Sequence, residues 1–300
     1  MKALVTGGAG FIGSHLVDAL LDRGDEVAVV DRLRVAKFNL NAAIDRGARV
    51  WRADVTEVAA MLEVFGDVRP DVVYHLAAQI DVRRSVIDPA LDAHQNVGGT
   101  AAVLEAARQT GVRRVLLAST AGAYGDPATI PTPEHTALEP LSPYGASKAA
   151  AETYLALFSR LHGISTLALR MSNVYGPRQD PHGEAGVIAI FCAAAAAGRE
   201  VTVFGDGSQT RDFVYVEDVA QAFVAAGRAD AQGALNVSTG VETTLTELAA
   251  TLELRTVTGP GRLGEISRSC LDPSGARARL GWQARTPLAE GLRRTLAWLS

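Results

Sequence analysis

Cysteine, histidine and long hydrophobic runs are all scarce in this chain of 300 residues. Its two cysteines, Cys192 and Cys270, and its six histidines do not occur at metal-binding or redox spacings, so we expect no metal site. The longest apolar run, residues 187–197, is too short to cross a bilayer, and no signal peptide precedes the first predicted strand. The net charge of −4 argues against a nucleic-acid partner. We therefore expect a cytoplasmic protein that binds neither membrane nor nucleic acid.

A glycine-rich segment near the start of the chain predicts a phosphate-binding turn. It follows a short apolar run, residues 2–6, that is typical of a buried parallel strand. Gly7, Gly10 and Gly13 recur at every third position, which permits a tight turn, close approach of backbone to phosphate, and close packing of helix on strand. The helix predicted over residues 11–23 would point its N-terminal amides and dipole at a diphosphate.

An acidic residue after the second predicted strand indicates which dinucleotide is bound. The apolar run of residues 26–30 ends in Asp31, which lies 18 residues after Gly13. This is close to the spacing of the carboxylate that binds adenosine ribose hydroxyls. Asp31 would repel a 2′-phosphate, so the pattern favours NAD over NADP. Arg32 and Arg34 weaken this preference, because an arginine here can accept the phosphate, although a solvated loop is the simpler interpretation.

A tyrosine and a lysine four residues apart form the second informative pattern. Pro143 is typical of the first turn of a helix, so Tyr144 and Lys148 would lie on one helical face. A phenol is a poor base at neutral pH unless its pKa falls, and a nearby ammonium or an oxidised nicotinamide ring favours the phenolate. Three residues are lysines, against 26 arginines, which argues against Lys148 being ordinary surface filler.

The order of the predicted elements indicates the fold. Apolar runs and helical patterns alternate over the first two-thirds of the chain, which predicts an α/β fold with a doubly wound parallel sheet of the Rossmann type. The predicted strand 114–118 is followed by Ser119 and Thr120, and such sheets place their chemistry at the carboxyl ends of strands. The sequence therefore predicts a nicotinamide cofactor beside a group suited to proton transfer at a carbinol.

The ordered motifs resemble those of the extended short-chain dehydrogenase/reductases that act on nucleotide sugars. The resemblance covers nearly the whole chain, and within the family the chain is most similar to the UDP-glucose (UDP-galactose) 4-epimerases. The motifs that carry it, in chain order, are Gly7-Gly-Ala-Gly-Phe-Ile-Gly13, Asp54-Val55, Tyr74-His-Leu-Ala-Ala78, Asn96-Val-Gly-Gly-Thr100, Ser119-Thr120, Tyr124-Gly125, Tyr144-Gly-Ala-Ser-Lys148, Arg170, Asn173-Val-Tyr-Gly-Pro177, Phe204-Gly-Asp-Gly207, Arg211-Asp-Phe-Val-Tyr-Val216 and Asp218.

The resemblance implies a role for each matching residue. Tyr144 would be the acid and base at the sugar 4-hydroxyl, Thr120 would hydrogen-bond the 4-oxygen, and Lys148 would hold the nicotinamide ribose and depress the Tyr144 pKa. NAD would stay tightly bound and would not be consumed. The expected cofactor-binding residues are Gly7, Gly10, Phe11, Ile12, Gly13, Asp31, Arg32, Asp54, Val55, Leu76, Ala77, Ala78, Asn96, Tyr144 and Lys148. The expected substrate-binding residues are Thr120, Tyr144, Asn173, Val187, Arg211, Arg262 and Glu265.

Within these sets, the resemblance implies that Asp54 meets the adenine and that Asn96 holds the neighbouring loop. Asn173 and Arg211 would contact the nucleotide diphosphate, with charge-assisted bonds from the arginine. Arg262 resembles the late arginine of the uridine-diphosphate pocket, although it reads equally well as a surface loop charge.

One departure from related enzymes favours epimerisation. The related 4,6-dehydratases have an Asp-Glu pair directly after the catalytic hydroxyl, and the related decarboxylases have a glutamate there, whereas Thr120 is followed by Ala121 and Gly122. Epimerisation needs one acid-base group and a reversible hydride acceptor. We therefore predict an NAD-dependent isomerase that interconverts UDP-glucose and UDP-galactose through a 4-keto sugar, which turns over and receives the hydride on its other face.

The pattern also predicts two lobes. Residues 1–169 with 211–238 would form the NAD-binding domain, and residues 170–210 with 239–300 a smaller C-terminal α/β substrate lobe, with the site between them. Helices near the middle of the chain pair between subunits in this family, so a homodimer is expected, although the same helices could cover the sheet of a monomer.

Two other readings remain open. A 4-ketoreductase or a UDP-glucuronate 4-epimerase would share most of these motifs, and Arg84, Arg178 and Thr120 are available to bind a sugar carboxylate. A non-catalytic NAD-binding sensor is disfavoured by the intact Thr120, Tyr144 and Lys148. The pattern leaves open the sugar, the choice of uracil or thymine as the base, and the pathway.

Overall fold

The fold is built around one parallel sheet with the strand order of a doubly wound protein. This computed structural model describes residues 1–33, 37–181, 186–260 and 266–299. The strands, in chain order, are β1 (Lys2–Thr6), β2 (Glu26–Asp31), β3 (Arg49–Arg52), β4 (Val72–His75), β5 (Arg114–Thr120), β6 (Ser165–Met171), β7 (Asn173–Tyr175), β8 (Val201–Phe204), β9 (Thr210–Arg211), β10 (Phe213–Tyr215), β11 (Gly233–Val237), β12 (Thr243–Thr244), β13 (Thr256–Gly259) and β14 (Arg268–Ser269). Seven of them pair in parallel in the order β11-β6-β5-β4-β1-β2-β3. The predicted fold class is confirmed.

Helices connect the strands and cover both faces of this sheet. In chain order they are α1 (Phe11–Asp22), α2 (Asn41–Asp45), α3 (Val58–Val68), α4 (Val82–Ile87), α5 (Pro89–Ala93), α6 (Gly99–Thr110), α7 (Pro143–His162), α8 (Val187–Ala196), α9 (Val216–Ala226), α10 (Leu245–Thr251), α11 (Ser274–Leu280) and α12 (Leu288–Leu299). One π-helical turn, His94–Gly98, joins α5 to α6. Helices α1 and α9 pack on one face of the sheet, and α3, α6 and α7 pack on the other.

Alternation of side chains along the strands explains why both faces are covered. In β1, Ala3 and Val5 belong to the apolar cluster under α1 and α9, whereas Leu4 belongs to the cluster under α3 and α6. Successive side chains of a strand point to opposite faces, so a continuous apolar run must be buried on both. Each such valine or leucine contributes about 1.5 to 3 kcal/mol when it is fully buried.

A second, smaller apolar cluster follows the sheet in the chain. It contains the strand pairs β7–β10 and β8–β13, with α8, α10 and α12 packed around Phe191, Phe213 and Tyr215. A three-stranded ribbon, β12-β9-β14, lies in the same part of the chain. The predicted division into two lobes stays a prediction. Within the segment 239–300, however, α11 packs against β11 and α9, so that Ala276 and Trp282 join the core of the large sheet.

None of the helices in the described ranges is long and apolar enough to span a membrane. The same ranges contain no group of three or more His, Cys, Asp or Glu side chains placed to hold a metal ion.

Helix α1 packs so closely on the first turn that position 13 has no room for a side chain. A Cβ there would lie 2.2 Å from the Gly7 carbonyl oxygen and 2.8 Å from the Gly8 Cα, so Gly13→Ala must push the helix away. We expect a loss of about 1 to 3 kcal/mol in the free energy of unfolding, measured by urea denaturation.

Gly66→Ala is the matched control for this prediction. Gly66 lies in α3, and a Cβ there would meet no described atom within 4 Å. This change should raise stability by about 0.5 to 1 kcal/mol, because alanine has the better helix propensity. Equal effects of the two substitutions would contradict the packing argument.

Candidate active site

Two adjoining cavities open at the carboxyl ends of the parallel strands. The first has a volume of about 280 Å³, and its lining residues are Gly7, Gly10, Phe11, Ile12, Gly13, Val30, Asp31, Arg32, Ala53, Asp54, Val55, Thr56, Leu76, Ala77, Ala78, Ile80, Gln95, Ala118, Tyr144, Lys148 and Met171. The second has a volume of about 330 Å³, and its lining residues are Thr120, Ala121, Gly122, Met171, Ser172, Asn173, Arg211, Ile266 and Ser269. Met171, at the end of β6, lines both. The two cavities therefore form neighbouring parts of one site.

The three glycines of the turn between β1 and α1 serve three different purposes. Gly7 has a φ of 71°, and a Cβ there would lie 2.6 Å from the Ala77 nitrogen. Gly13 allows α1 to approach the Gly7 carbonyl. A Cβ on Gly10 would have one described neighbour within 4 Å, the Gly7 carbonyl oxygen at 3.2 Å. Gly10 also lines the first cavity. No side chain of a described residue caps α1, so its first amides are suited to an anion.

Asp31 ends β2 and holds the glycine turn from the side. Its carboxylate accepts hydrogen bonds from the backbone amides of Ala9, at 3.1 Å, and Leu33, at 2.8 Å. The Asn39 side chain donates to the Ala9 carbonyl at 3.1 Å, so the backbone N–H and C=O of Ala9 are both hydrogen-bonded. A carboxylate offers about four lone-pair positions, so Asp31 keeps acceptor capacity for the cavity that it lines. This arrangement suits the hydroxyls of a ribose.

Arg32 and Asp54 form an ion pair in the wall of the first cavity. The guanidinium lies 3.4 Å from Asp54 Oδ2 and donates to Gln95 Oε1 at 3.5 Å. Burial alone would raise the pKa of Asp54, but hydrogen bonds from the Thr56 amide and hydroxyl, together with Arg32, hold that pKa below its ordinary value. Arg32 is thus engaged by one carboxylate and adjacent to another, Asp31. This supports NAD rather than a cofactor with a 2′-phosphate.

The first cavity collects all of the predicted cofactor-binding residues except Asn96. They provide the groups that a dinucleotide needs. The glycine turn and the start of α1 suit the pyrophosphate, Asp31 suits the adenosine ribose, and apolar side chains such as Val55 and Leu76 suit the adenine and nicotinamide faces. The residues therefore fit NAD.

The start of α7 is held against the end of β5 by close backbone contact. Ser142 caps the helix by accepting a hydrogen bond from the Gly145 amide at 3.1 Å. A Cβ on Gly145 would lie 2.5 Å from the Gly122 carbonyl oxygen, so glycine alone permits this approach. One turn later, the Lys148 ammonium donates to the Ala118 carbonyl at 3.0 Å. The helix therefore presents Tyr144 and Lys148 to the cavity side by side.

Tyr144 lies beside Thr120, and the Thr120 hydroxyl interacts with the phenol. Burial raises the pKa of Tyr144 to about 12, while the Thr120 hydroxyl opposes this rise and the charge of Asp92 adds to it. The net depression of this pKa that the resemblance implies is not found in the protein without a bound cofactor, because loss of solvent around the phenol is the largest effect. Formation of the phenolate therefore needs positive charge beyond that of the protein.

Lys148 is a buried ammonium with a shifted pKa. Burial lowers the pKa of Lys148 to about 8, although the charges of Asp92 and Glu152 oppose the fall. The group therefore stays largely charged at neutral pH, and it loses its proton in a range where a surface lysine does not.

Asn96 does not line the first cavity but connects its wall to α7. Its side-chain oxygen accepts from the Gln79 amide at 2.8 Å, and its nitrogen donates to the Gln79 carbonyl at 3.0 Å. The same nitrogen donates to Ser147 Oγ at 2.9 Å, and Ser147 donates to the Tyr144 carbonyl at 2.9 Å. Through these bonds the loop after β4 and the helix that carries Tyr144 are held together.

His75, at the end of β4, is a buried histidine whose tautomer follows from its neighbours. The Thr100 hydroxyl donates to the Asn96 carbonyl at 2.6 Å, so it must accept from His75 Nε2, at 3.1 Å. His75 Nδ1 then accepts from the Thr6 hydroxyl at 2.7 Å, which itself accepts from the Ala77 amide at 3.3 Å. Burial lowers the pKa of His75 to about 3. The neutral ring therefore links the cavity wall to Asn96.

The second cavity contains two predicted diphosphate-binding residues, Asn173 and Arg211. Asp212 follows Arg211 in the chain, and its backbone carbonyl accepts a hydrogen bond from the backbone N–H of Asn173 at 2.9 Å. The Asp212 carboxylate accepts from the Thr239 amide at 3.0 Å, from the Thr239 hydroxyl at 2.7 Å and from the Gly240 amide at 3.0 Å. This anchor holds the backbone beside Arg211, which lines the cavity and carries a guanidinium of the kind that binds phosphate.

Acid-base groups are few where the two cavities meet. Among the described residues that line the second cavity, Arg211 alone has an ionisable side chain. Ala121 and Gly122 follow Thr120 in that wall, as the sequence shows. In the first cavity, Tyr144 and Lys148 adjoin β5. The other charged residues, Asp31, Arg32 and Asp54, lie near β2 and β3, which are three and four strands away.

Three predicted substrate-binding residues are not placed in either cavity. Val187 begins α8, packs partly buried against the smaller apolar cluster, and does not line either cavity. Arg262 and Glu265 lie outside the described residues, as does Arg34.

Several lining residues were not predicted from the sequence: Val30, Ala53, Thr56, Ile80, Gln95, Ala118, Met171, Ser172, Ile266 and Ser269. Thr56 and Gln95 adjoin motif residues, so their position in the sequence carried a weak signal. The others are small or apolar side chains, which carry no local pattern that distinguishes a cavity wall from a core.

The fold and the site together define a Rossmann-type, NAD-binding protein with a Thr-Tyr-Lys group beside the cofactor cavity. The model of the NAD dependent epimerase/dehydratase family matches residues 3–238, and the chain belongs to this family. It is 46% identical to the UDP-glucose 4-epimerase of Mycolicibacterium smegmatis, over 99% of this chain and 97% of that protein. The predicted family and the NAD cofactor are confirmed.

Solved structures give the same result. The crystal structure of UDP-glucose 4-epimerase from Thermotoga maritima with UDP-glucose has a TM-score of 0.95 and 43% identity, covering 99% of this chain and 98% of that one. The enzyme of Thermus thermophilus in complex with NAD has a TM-score of 0.91 and 42% identity, covering 100% of this chain and 99% of that one. These comparisons also support the predicted epimerase activity.

The shifted pKa of His75 makes stability depend on pH in a defined direction. A folded-state pKa of about 3, against an ordinary value of 6.5, means that the unfolded chain binds the extra proton between these values. Stability should therefore be complete above pH 6.5 and fall as the pH decreases, with a slope from this group approaching about 1.4 kcal/mol per pH unit.

The measurement is the free energy of unfolding in urea at pH values from about 5 to about 7. His75→Gln should be less stable than the wild type at neutral pH but should show a shallower dependence on pH. His162→Gln, which changes an exposed histidine on α7, is the control and should keep the wild-type slope. Equal slopes in the wild type and His75→Gln would refute the assignment.

Proposed function

We propose that this protein is a UDP-hexose 4-epimerase that interconverts UDP-glucose and UDP-galactose with retained NAD. Its similarity to the UDP-glucose 4-epimerases over nearly the whole chain supports this function. The observation that carries the proposal is the small number of acid-base groups where the two cavities meet.

A single acid-base centre matches the needs of epimerisation. Elimination of water needs a second acid or base near the sugar, and the positions after Thr120 are Ala121 and Gly122, which cannot supply one. Epimerisation removes a proton from the 4-hydroxyl and later returns it, so one residue serves both half-reactions. Tyr144 suits this task, because it lines the first cavity and lies beside Thr120, which lines the second.

The protein residues divide the work of proton transfer. Tyr144 accepts the 4-hydroxyl proton and gives it back, and Thr120 holds the oxygen in position through its hydroxyl. Lys148 adds positive charge beside the phenol. When it is bound, NAD supplies the reversible hydride acceptor and, in its oxidised form, the positive charge that favours the phenolate. This charge acts against the raised pKa of Tyr144, which burial brings to about 12 in the protein itself.

Substrate would be anchored through its diphosphate rather than through its sugar. Arg211 and Asn173 line the second cavity, and the buried Asp212 carboxylate beside Arg211 is fixed by the backbone amides of Thr239 and Gly240. The wall near Thr120 is formed by Ala121 and Gly122, which are small and have no polar side chain to hold a hexose in one orientation. Firm anchoring beside a loose sugar pocket is what a turning 4-keto sugar requires.

A carboxylate-bearing sugar is less well supported by the geometry. Of the arginines considered for this role, Arg178 forms an ion pair with Asp18 at 2.8 Å, and Arg84 is exposed on α4. Neither lines the two cavities.

We also propose that the enzyme is a cytoplasmic homodimer. Helix α7 exposes Tyr154 and Leu161, which are apolar surface that a second subunit would cover. Light scattering should then give twice the chain mass of 31.5 kDa, and a monomer mass would refute the proposal.

Tyr144→Phe tests the catalytic assignment. Removal of the phenol oxygen should lower kcat by about 100-fold or more, because no other described group at this position can accept the proton of the sugar 4-hydroxyl. Bound NAD, released by denaturation and measured enzymatically, should be unchanged. Tyr154→Phe removes the same oxygen from another tyrosine of α7 that lines neither cavity, and this control should keep full turnover. Undiminished turnover by Tyr144→Phe would overturn the mechanism.

Product analysis with purified protein and no added cofactor identifies the substrate. UDP-glucose, UDP-N-acetylglucosamine and UDP-glucuronate would be offered separately, and the 4-epimer sought by proton NMR. We expect UDP-galactose from UDP-glucose. No epimer from any of them, with turnover of a keto sugar only after adding NAD(P)H, would replace the proposal by a reductase.

A further inference from the structure

Asp92 is a buried acidic residue behind the first cavity that the mechanism above does not use. It lies on α5 with 1% of its surface exposed. Its Oδ1 atom accepts from the Gln79 side chain at 2.9 Å and from the Asn96 side chain at 3.2 Å. Its Oδ2 atom is also buried and has no hydrogen-bond partner among the described residues. A buried carboxylate with one unused oxygen is costly unless a nearby positive charge balances it.

Lys148 lies on the helix that packs against α5, and the charge of Asp92 acts on it. Asn96 binds both Asp92 and Ser147, the residue before Lys148, and α5 packs directly against α7. Two carboxylates favour the ammonium form of Lys148, and the effect of Asp92 is larger than that of Glu152.

Glu152 is already neutralised by another residue, so it cannot fill the same role. Arg170 donates to both of its carboxylate oxygens, at 3.0 Å and 2.6 Å, and both side chains are less than a tenth exposed. Ser119 also hydrogen-bonds Glu152. A bidentate guanidinium cancels most of the field of the carboxylate that it binds. Asp92 is therefore the buried carboxylate near Lys148 whose charge is not offset by a guanidinium among the described contacts.

We propose that Asp92 is a positioning residue that keeps Lys148 in its ammonium form and thereby sets the pH range in which the Tyr144–Lys148 pair works. This inference rests on the proposed function of that pair. Asp92 itself does not line the cavities and does not touch the reacting atoms.

Other charged groups near this pair fall into two sets. Exposed groups, screened by solvent, are Arg83, Arg84 and Asp88 around α4 and α5, with Asp81 half-buried at the start of α4. The other set is Tyr144 on α7, which is partly buried in the cavity wall, together with the buried groups Glu152 on α7, Arg170 on β6 and His75 on β4. His75 is neutral, since its pKa is lowered to about 3. The exposed set is too well screened to replace Asp92.

Asp92→Asn isolates the charge from the shape. Asparagine keeps an oxygen that can accept from Gln79 and Asn96, but the negative charge is lost. The pKa of Lys148 should then fall further below its present value of about 8. The pKa of Tyr144 should fall as well, because Asp92 contributes to raising it. Both limbs of the pH–kcat profile should therefore move to lower pH together, whereas a merely structural defect would lower kcat at every pH.

The direct readout is NMR titration of the holoenzyme labelled with ¹³C at lysine Cε. The chain has three lysines, Lys2, Lys37 and Lys148, so three signals are expected, and Lys148→Arg assigns the third. In Asp92→Asn the Lys148 midpoint should fall by about one pH unit or more. The Lys2 and Lys37 midpoints should not move.

Control variants separate charge from packing. Asp88→Asn removes a carboxylate from the exposed cap of the same helix while keeping a good capping residue, so the Lys148 midpoint should not change. Asp92→Glu keeps the charge and should keep a midpoint near that of the wild type. Asp92→Ser provides a second neutral variant in case Asp92→Asn does not fold.

An unchanged Lys148 midpoint in a folded neutral variant would overturn the inference, as would an equal shift in Asp92→Glu or Asp88→Asn. The NMR midpoint does not depend on which sugar is turned over. A shifted midpoint with no epimer product from any UDP-sugar would thus sustain this inference and refute the proposed function, and an unchanged midpoint with normal epimer formation would do the reverse.

Discussion

The seating of α7 on the end of β5 is the contact on which the site depends. Three successive turns of the helix each meet the strand end: Gly145 approaches the Gly122 carbonyl, Lys148 donates to the Ala118 carbonyl, and Glu152 bonds Ser119. The first contact requires the absence of a side chain, and the other two are polar bonds that are well shielded from water. Together they determine where the phenol of Tyr144 stands relative to Thr120.

Burial fixes the positions of Tyr144 and Lys148, but it also disfavours the phenolate and ammonium forms that proton transfer needs. It raises the pKa of Tyr144 to about 12 and lowers that of Lys148 to about 8, so both charged forms are disfavoured. For Tyr144 the opposing effects come from Thr120 at the end of β5 and from the charge of a bound cofactor, and for Lys148 they come from Asp92 on α5 and Glu152 on α7. Reactivity at neutral pH is therefore a property of the assembled cleft rather than of the Tyr-Lys spacing.

A neighbouring network of hydrogen bonds holds elements from different parts of the chain in fixed relative positions. His75 connects Thr6 on β1 to Thr100 on α6, and Asn96 connects the loop after β4 to Ser147 on α7. Each of these groups is buried and has its hydrogen bonds satisfied, so a displacement of one element would leave an unpaired polar atom. The cofactor cavity and the Tyr-Lys pair are thus coupled through hydrogen bonds as well as through packing.

The sequence by itself determined the features whose cause is local. Glycines at every third position, Asp31 at a strand end and the four-residue spacing of Tyr144 and Lys148 depend only on backbone geometry within one or two elements, and the ordered motifs identified the family. The alternating pattern likewise predicted the parallel sheet.

Only the tertiary structure decided which charges are paired, buried or balanced. Arg32 is engaged by Asp54, Glu152 is neutralised by Arg170, and Asp92 is buried with one carboxylate oxygen that has no hydrogen-bond partner among the described residues. It also reversed the expected direction of the Tyr144 pKa. These properties depend on distances and solvent exclusion between residues far apart in the chain, and electrostatic energies vary steeply with both, so no local pattern contains them.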